Sequence, residues 1–169
     1  MEHYPEEVCY GIKIHREIDH FTDKHPIVRE SSKRLRQDYR HYAGVIVDMF
    51  YDHLLAVNFQ QFSNRPLDVF AQDSYSLLES NMDWLPAKAQ HMLPYMIRGN
   101  WLVNYQHLTG IHRSLQGISR RTKFDVQLEK SVQVLQNDFK LYEKEFLLFF
   151  PEVMEHVSVY RADLINSKL

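Results

Sequence analysis

Two pairs of potential metal ligands stand at helical spacing in this sequence. In the stretch IHREIDHFTDKHP, His15 and Asp19 are four positions apart, so their side chains can converge on one point of a helix. Asp48 and Asp52 have the same spacing in the apolar stretch YAGVIVDMFYDHLLAVNF. Because neutral imidazole and carboxylate oxygen bind divalent cations together, these four residues are candidates for a metal centre.

The expected burial of these polar side chains is what indicates a ligand. On a helical wheel, His15 and Asp19 adjoin a sector of apolar residues, so we expect them at the edge of the buried side or within it. The stretch 42–59 is apolar nearly all round, which predicts the central and most buried helix. Unpaired carboxylates at Asp48 and Asp52 would be costly there, and a bound cation offsets that cost.

A purely structural interpretation of the same residues stays open. Asp19 can simply bond His15, which is a common arrangement at this spacing. Asp48 can pair with an arginine, for example Arg98 or Arg113. Two such pairs on apolar helices weaken this alternative relative to a single pair, and both interpretations stay open.

Motifs of several other site classes are missing from the sequence. It contains no Gly-rich phosphate loop, no G-x-S-x-G, no H-E-x-x-H and no zinc-finger spacing. Glu-x-x-His pairs on an apolar stripe are missing too, which disfavours a di-iron bundle. The remaining histidines show no ligand spacing, and we expect His20 and His25 on the surface and Cys9 as a small packed residue.

The elements that must position these residues are predicted to be helices. Hydrophobic residues make up 44% of the 169 residues, and only 5 Gly and 6 Pro supply turns, which favours an all-α single-domain bundle over residues 1–169. Periodicity and breakers predict six or seven helices. Their approximate ranges are 5–22, 27–39, 42–59, 67–81, short helices interrupted by Pro86, Pro94 and Gly99, then 102–106, 111–120, 125–149, and a last helix from Pro151.

Charge and cysteine content exclude some partners and favour one compartment. The net charge of −2 argues against a general nucleic-acid binder. No secretory signal or membrane span is visible in the sequence. A single cysteine rules out an internal disulfide framework and favours a reducing cytoplasm.

Basic residues form two local groups, and the first of them has two possible roles. The segment SRRTKF places Arg120, Arg121 and Lys123 at a predicted helix end, where they suit the helix dipole or bind phosphate or an acidic partner. The predicted second helix also has a basic outer face, formed by Lys33, Arg34, Arg36 and Arg40.

These segments together resemble the acyl carrier protein phosphodiesterase family. The matching stretches are GIKIHREIDHFTDKHP, HYAGVIVDMFYDHLLAVNF, NWLVNYQHLTGIHRSLQGISRRTKF and, near the C-terminal end, FFPEVM. The combination of HREIDHFTD with DMFYDHLL is fairly specific, and the resemblance spans nearly the whole chain.

The resemblance implies an all-helical fold like that of the HD-type phosphohydrolases, and a metal-dependent activity. Such enzymes hydrolyse the phosphodiester that joins 4′-phosphopantetheine to a serine of holo acyl carrier protein, the expected partner here. The expected cofactor is a divalent metal, Mn²⁺ first and Mg²⁺ or Fe²⁺ as alternatives.

The resemblance also implies roles for the residues singled out above. The expected metal ligands are His15, Asp19, Asp48 and Asp52, with His15 and Asp52 as first choices. The expected catalytic residues are Asp19, Asp48 and His53. Asp23 and His53 would orient the ligands. On charge alone, the expected substrate or partner contacts are Arg113, Arg120, Arg121 and Lys123.

One departure from the family pattern concerns the N-terminus. Family members usually begin with a further segment that resembles NFLAH followed by GNFxxD, and this sequence starts after it. That segment carries a His and an Asp suited to the metal. We expect its absence to leave an apolar groove that favours a homodimer.

Two other functions fit the same residues. One is a nucleotide phosphohydrolase of the HD type, which would need the metal but no protein-docking surface. The other is a catalytically impaired helical relative that still binds the carrier protein. Turnover of free nucleotides, or tight carrier-protein binding without turnover, would distinguish them.

Overall fold

The computed structural model describes residues 4–122 and 126–166, and within these ranges the chain forms helices and no strand. This confirms the all-α class. The α-helices are α1 (Glu6–Lys24), α2 (Pro26–Tyr39), α3 (Ala43–Val57), α4 (Phe59–Phe62), α5 (Leu67–Ser80), α6 (Ala87–Arg98), α7 (Trp101–Asn104), α8 (Leu108–Ser119), α9 (Val132–Asn137) and α10 (Phe139–Asn166). Short 3-10 helices cover Arg40–Tyr42, Met82–Trp84 and Leu128–Ser131.

The chain divides into two compact units. Met1–Ala43 and Lys140–Leu169 form the first unit, and Gly44–Phe139 forms the second. The first unit therefore contains α1, α2 and nearly all of α10, and the second contains α3 to α9. The single domain expected over 1–169 stays a prediction.

The start of the first unit follows simple helix-end rules. Pro5 precedes α1, and Glu6 and Glu7 complement the positive end of that helix. His25 is extended with φ −65° and ψ 129°, as expected of a residue before proline, and Pro26 begins α2. These boundaries lie within two residues of the predicted ones.

Polar side chains of α1 and α2 bind α10 within the first unit. The guanidinium of Arg34 pairs with both oxygens of Glu145, with Nη1 to Oε1 at 2.9 Å, and it lies 4.7 Å from the ring centroid of Tyr142. His25 is only 7% exposed, and its Nε2 lies 3.1 Å from Glu152 Oε2. The expectation of a surface His25 is therefore wrong, because the turn after α1 directs this ring against Phe149.

Two prolines that were expected to break helices lie inside them. Pro94 is inside α6, and Pro151 is inside α10, which continues to Asn166. Proline removes one hydrogen bond of the helix ladder, but both residues are exposed, so water can satisfy the carbonyl one turn earlier. Conversely, the 3-10 segment Leu128–Ser131 and α9 replace the start of the long helix expected from Asp125, and Asp125 itself lies outside the described residues.

The second unit has α3 as its most buried helix, as the sequence predicts. Ile46, Val47, Phe50 and Leu54 of α3 are fully buried. Their spacing is that of one helix face, so the opposite face of α3 is left toward solvent. That exposed face carries Asp48 and Asp52.

A close backbone approach determines where α8 begins. A Cβ on Gly110 would lie 2.0 Å from the carbonyl oxygen of Asn104 at the end of α7. Only glycine fits this position, because any side chain would collide with that carbonyl oxygen and keep the two helices apart. The sequence placed the helix start after Gly110, whereas α8 begins at Leu108 and includes it.

None of the helices in the described part of the chain is both long enough and apolar enough to cross a membrane.

Candidate functional site

Two carboxylates lie one helical turn apart on the exposed face of α3. Asp48 and Asp52 are both accessible to solvent, so the burial expected from the sequence is wrong for these two side chains. The apolar side chains that suggested burial point to the other face of the helix. Part of the Asp52 side chain reaches solvent, but the protein packed around its carboxyl group, and then the negative charge of Asp48, raise the pKa of Asp52 to about 6. Asp52 can therefore exchange a proton close to neutral pH.

His53 connects α3 to the residue after α7. It is 3% exposed, and its Nδ1–H donates to the carbonyl oxygen of Tyr105 at 2.7 Å. Burial lowers the pKa of His53, with a smaller contribution from nearby His107, so the neutral ring is favoured. The catalytic role expected for His53 stays a prediction, and the contact that the structure shows is one that positions Tyr105.

Tyr105 lines a cavity of about 380 Å³ in the second unit. The apolar part of its wall consists of Met49, Met92, Met96, Trp101 and Ile118. This volume is within the usual range for small-molecule sites, which are mostly apolar with a few polar groups. Methionine side chains are flexible, so such a wall can adapt to ligands of different shapes.

The polar edge of the cavity is linked to the carboxylates of α3. The pKa of Tyr105 is raised, first by burial and then by the negative charge of Asp52, while a hydrogen bond with Ser114 opposes the rise. Ser114 lines the cavity beside Tyr105. Tyr105 therefore lies near enough to Asp52 for the carboxylate to influence its hydroxyl group, although Asp52 is not itself part of the cavity lining.

Two of the four basic residues that were predicted to contact the substrate or partner line this cavity. Arg113 and Arg121 are among its lining residues, and Arg121 Nε also donates to the carbonyl of Gly117 at 2.9 Å. Arg120 is exposed and bonds Gln116 Oε1 at 3.2 Å, outside the cavity lining. Arg121 therefore both binds a carbonyl group near the C-terminal end of α8 and lines the cavity. Lys123 lies outside the described residues.

The α1 residues belong to the first unit and are well exposed. His15 Nε2 lies 3.6 Å from Asp19 Oδ2, and the two side chains are 74% and 59% exposed. Asp23 is exposed as well. The expectation that His15 and Asp19 adjoin a buried side is wrong, since no residue of α1 is fully buried. The pairing of His15 with Asp19 agrees with the purely structural interpretation, in which Asp19 simply bonds His15.

The donor chemistry of α3 suits a divalent cation, although the ligand set is not complete within one cluster. Asp48 and Asp52 offer hard oxygen donors, and the repulsion that raises the pKa of Asp52 is one that a cation relieves. Over residues 4–122 and 126–166, no three His, Cys, Asp or Glu side chains are grouped to hold a metal ion. The four-residue centre with His15 and Asp19 therefore stays a prediction.

Sequence reasoning missed the residues that form the cavity. Trp101 and Tyr105 stand near helical spacing in an apolar stretch, which is typical of core residues, yet both are partly accessible and line the cavity. Ser114 follows Arg113 directly and carried no motif of its own. The available signal was a polar pair, Arg113 and Ser114, between Gly110 and Gly117 on one helix, because glycine lets the backbone approach a ligand closely.

Comparison with known proteins gives one consistent family. A family model described as acyl carrier protein phosphodiesterase matches residues 1–153. A protein of that name from Photorhabdus laumondii is 30% identical over 153 residues, covering 90% of this chain and 77% of the relative. One from Yersinia pestis is 32% identical over 152 residues, covering 89% and 79%.

A third relative supports the same assignment. The acyl carrier protein phosphodiesterase of an Enterobacter species is 32% identical over 153 residues, covering 89% of this chain and 79% of the relative. No solved structure matches the chain significantly, so the expected likeness to HD-type folds stays a prediction. The agreement over most of the chain shows that this protein belongs to the acyl carrier protein phosphodiesterase family.

Proposed function

We propose that this protein is a hydrolase that cleaves the phosphodiester between 4′-phosphopantetheine and the serine of holo acyl carrier protein. The observation that carries the proposal is the cavity of the second unit, with Arg113 and Arg121 in its lining and Tyr105 and Ser114 as further polar groups. Family membership supports the same reaction.

The cavity suits the chemistry of the prosthetic arm. A phosphopantetheine arm is long, thin and only weakly polar apart from its phosphate, so it fits a cavity of about 380 Å³ with a methionine-rich wall. The guanidinium groups of Arg113 and Arg121 would bind the phosphate oxygens. Arginine suits this task because its planar fork matches the geometry of phosphate.

The reaction follows from the charges at the polar edge. A water oxygen bonds to phosphorus, the bond from phosphorus to the serine oxygen breaks, and the products are 4′-phosphopantetheine and apo carrier protein. Asp52, ionised above pH about 6, accepts the proton of the attacking water, and the serine oxygen takes up a proton as its bond to phosphorus breaks. The arginines stabilise the charge that develops on the phosphate oxygens.

A divalent cation fits this scheme as a cofactor, with Mn²⁺ as first choice and Mg²⁺ or Fe²⁺ as alternatives. Asp48 and Asp52 would hold it, and His15 and Asp19 are the further ligands predicted from the sequence. When bound, it supplies Lewis-acid polarisation of a phosphoryl oxygen and lowers the pKa of bound water. The cytoplasmic location and the homodimer expected from the sequence belong to this proposal as well.

A turnover assay with two neighbouring arginines tests the cavity. Holo acyl carrier protein is incubated with enzyme and Mn²⁺, and loss of the 4′-phosphopantetheine mass is followed. We expect Arg121→Gln to lower kcat/KM roughly 10- to 100-fold, the effect of one charge-assisted contact to phosphate. Arg120→Gln is the matched control, because Arg120 lies outside the cavity lining, and it should stay within twofold of wild type.

The same assay separates the competing functions. Asp52→Asn should reduce kcat by roughly 100-fold or more, since the amide can neither accept the proton of the attacking water nor hold a cation as the carboxylate would. Hydrolysis of free nucleotides with none of holo carrier protein would overturn the proposal in favour of a nucleotide phosphohydrolase. Binding of carrier protein without turnover, with or without added Mn²⁺, would favour the non-catalytic relative.

A further inference from the structure

The turn that leads from α6 into α7 has an unusual backbone at Asn100. This residue is left-handed, with φ 42° and ψ 55°, a conformation that asparagine adopts more readily than most other residues. At Gly99, one residue earlier, a Cβ would lie 2.7 Å from both Cδ1 and Nε1 of Trp101. The indole ring therefore packs directly on the backbone of Gly99, and the path of this turn determines where the ring lies.

The hydroxyl group of Tyr75 ties this turn to α5. Tyr75 is 3% exposed, and its hydroxyl donates to Asn100 Oδ1 at 3.2 Å. The same oxygen accepts a hydrogen bond from the backbone N–H of Leu102 at 2.9 Å. Leu102 stands in the first turn of α7, where backbone N–H groups have no partner within the helix. One buried side chain thus stabilises both the left-handed turn and the start of the helix.

The helix α7 depends on such contacts because it is only four residues long. An isolated helix of this length is not stable in water, so its position must come from tertiary contacts. Trp101 at its start and Tyr105 just after its end both line the cavity. His53 binds the carbonyl of Tyr105 at the far end of α7, and Tyr75 supplies a corresponding contact at the near end.

We infer that Tyr75 is a positioning residue, which holds α7, and with it Trp101, in the geometry that binds the substrate. Tyr75 is not itself part of the cavity lining, so it acts through Asn100 and Leu102. The identity of the ligand as the phosphopantetheine arm rests on the proposed function, whereas the hold on Trp101 does not.

Loss of the Tyr75 hydroxyl should affect binding more than the chemical step. Without it the N–H of Leu102 loses its partner, and α7 would occupy its present position for only part of the time. The apparent affinity falls in proportion to the fraction of molecules that are competent to bind, whereas a bound ligand selects that fraction. The expected signature is therefore a raised KM with little change in kcat.

The test variant is Tyr75→Phe, which keeps the aromatic ring and removes only the hydroxyl group. Tyr10→Phe is the matched control, because it makes the same change at a hydroxyl that donates to the carbonyl of Arg161 at 2.9 Å within the first unit. Both are made in a Trp84→Phe reference protein, so that Trp101 is the one tryptophan left of the two in the sequence. Melting curves set a working temperature at which all variants are folded.

We expect Tyr75→Phe to shift the emission of Trp101 to longer wavelength and to increase its quenching by acrylamide, because water reaches the ring more often. The Kd for 4′-phosphopantetheine, read from the same emission, and the KM for holo acyl carrier protein should rise about tenfold, the effect of one buried hydrogen bond. The value of kcat should stay within twofold. Tyr10→Phe should match the reference protein in all of these quantities, even where its Tm falls equally.

A second variant separates the two hydrogen bonds of Tyr75. Asn100→Gly tolerates the positive φ but lacks the side-chain acceptor, while the bond from Leu102 to Tyr75 is kept. It should therefore change the Trp101 emission and KM in the same direction as Tyr75→Phe, but by less.

Three results would overturn the inference. These are Trp101 emission and quenching that Tyr75→Phe leaves unchanged, a lowered kcat with an unchanged KM, and an equal rise of KM in Tyr10→Phe. A protein that neither turns over holo carrier protein nor binds 4′-phosphopantetheine would sink the proposed reaction. The emission of Trp101 would then decide by itself whether Tyr75 holds α7.

Discussion

At the scale of single residues, Asp52 is the side chain whose chemistry the fold changes most. The same type of residue on an open helix would be ionised from about pH 4 upward. Here desolvation and the neighbouring Asp48 raise its pKa to about 6. A carboxyl group that holds its proton up to this pH is a common feature of catalytic and metal-binding sites.

This shift predicts a pH dependence of stability in the metal-free protein. Between the ordinary value of 3.8 and about 6, the unfolded chain releases the proton of Asp52 while the native state keeps it. The free energy of unfolding therefore falls as pH rises through this window and has lost the full contribution above it. Denaturant titrations with chelator should show a smaller fall for Asp52→Asn.

The matched control for that prediction is Asp138→Asn, at an exposed aspartate of the same unit. It should reproduce the slope of the wild type between pH 4 and 6 (about the window set by an ordinary and a raised carboxyl pKa). A slope unchanged in Asp52→Asn would mean that the environment of Asp52 does not favour the protonated form.

At the scale of elements, close contacts decide how α8 is positioned beside the cavity. Gly110 packs against the last turn of α7, and Arg113, Ser114 and Arg121 follow on or just after the same helix. The first turn of α8 can therefore lie this close to α7 only with glycine at position 110. Gly117 lies on the same helix, but a Cβ there would meet no atom within 4 Å.

Two alanine substitutions on α8 should have opposite effects. Gly110→Ala places a methyl group on the carbonyl of Asn104 and should destabilise the protein by roughly 1–3 kcal/mol through forced backbone movement. Gly117→Ala removes a flexible residue from a helix interior and should stabilise it by about 0.5–1 kcal/mol. Thermal unfolding by circular dichroism measures both, and a neutral Gly110→Ala would contradict the close approach.

Two ion pairs of α2 should likewise differ in their contribution. Glu145 is 16% exposed and pairs with Arg34, so Glu145→Gln leaves a half-buried guanidinium and should cost roughly 1–3 kcal/mol. Glu30→Gln breaks the exposed pair with Lys33 and should change stability by less than about 0.5 kcal/mol. Urea denaturation compares them, and equal effects would show that burial does not distinguish the two pairs.

At the scale of the whole molecule, cation binding can be read from stability without any substrate. A ligand that binds only the native state stabilises it by about 2.7 kcal/mol at 100 times its Kd. We expect Mn²⁺ to raise Tm at pH 7 and to do so much less at pH 5, because Asp52 holds its proton below pH about 6. Asp52→Asn and His15→Ala should each reduce the shift.

The control for cation binding is His20→Ala, at an exposed histidine of α1 that carries no ligand role. It should keep the shift of the wild type. A Tm that Mn²⁺ leaves unchanged at pH 7 would contradict the metal centre, and a shift that survives both Asp52→Asn and His15→Ala would place the cation elsewhere.

The sequence by itself determined the helical class, most helix boundaries and the family. Helix-end signals such as Pro5 and Pro26 are local, so they act through backbone geometry that neighbouring residues already specify. The spacing of Asp48 and Asp52 is equally local, and it placed both carboxylates one turn apart. The exposed prolines of α6 and α10 misled the prediction, since their effect depends on whether water reaches the carbonyl one turn earlier.

Only the tertiary structure decided which faces are buried and which distant residues meet. Periodicity could not show that Asp48 and Asp52 face solvent, that His25 is buried, or that Tyr105 lies beside a cavity with two arginines. Each of these outcomes depends on packing between segments far apart in the chain, where burial energies exceed local preferences. The pKa of Asp52 belongs to this group as well, because desolvation arises from the surrounding fold and not from the helix that carries the residue.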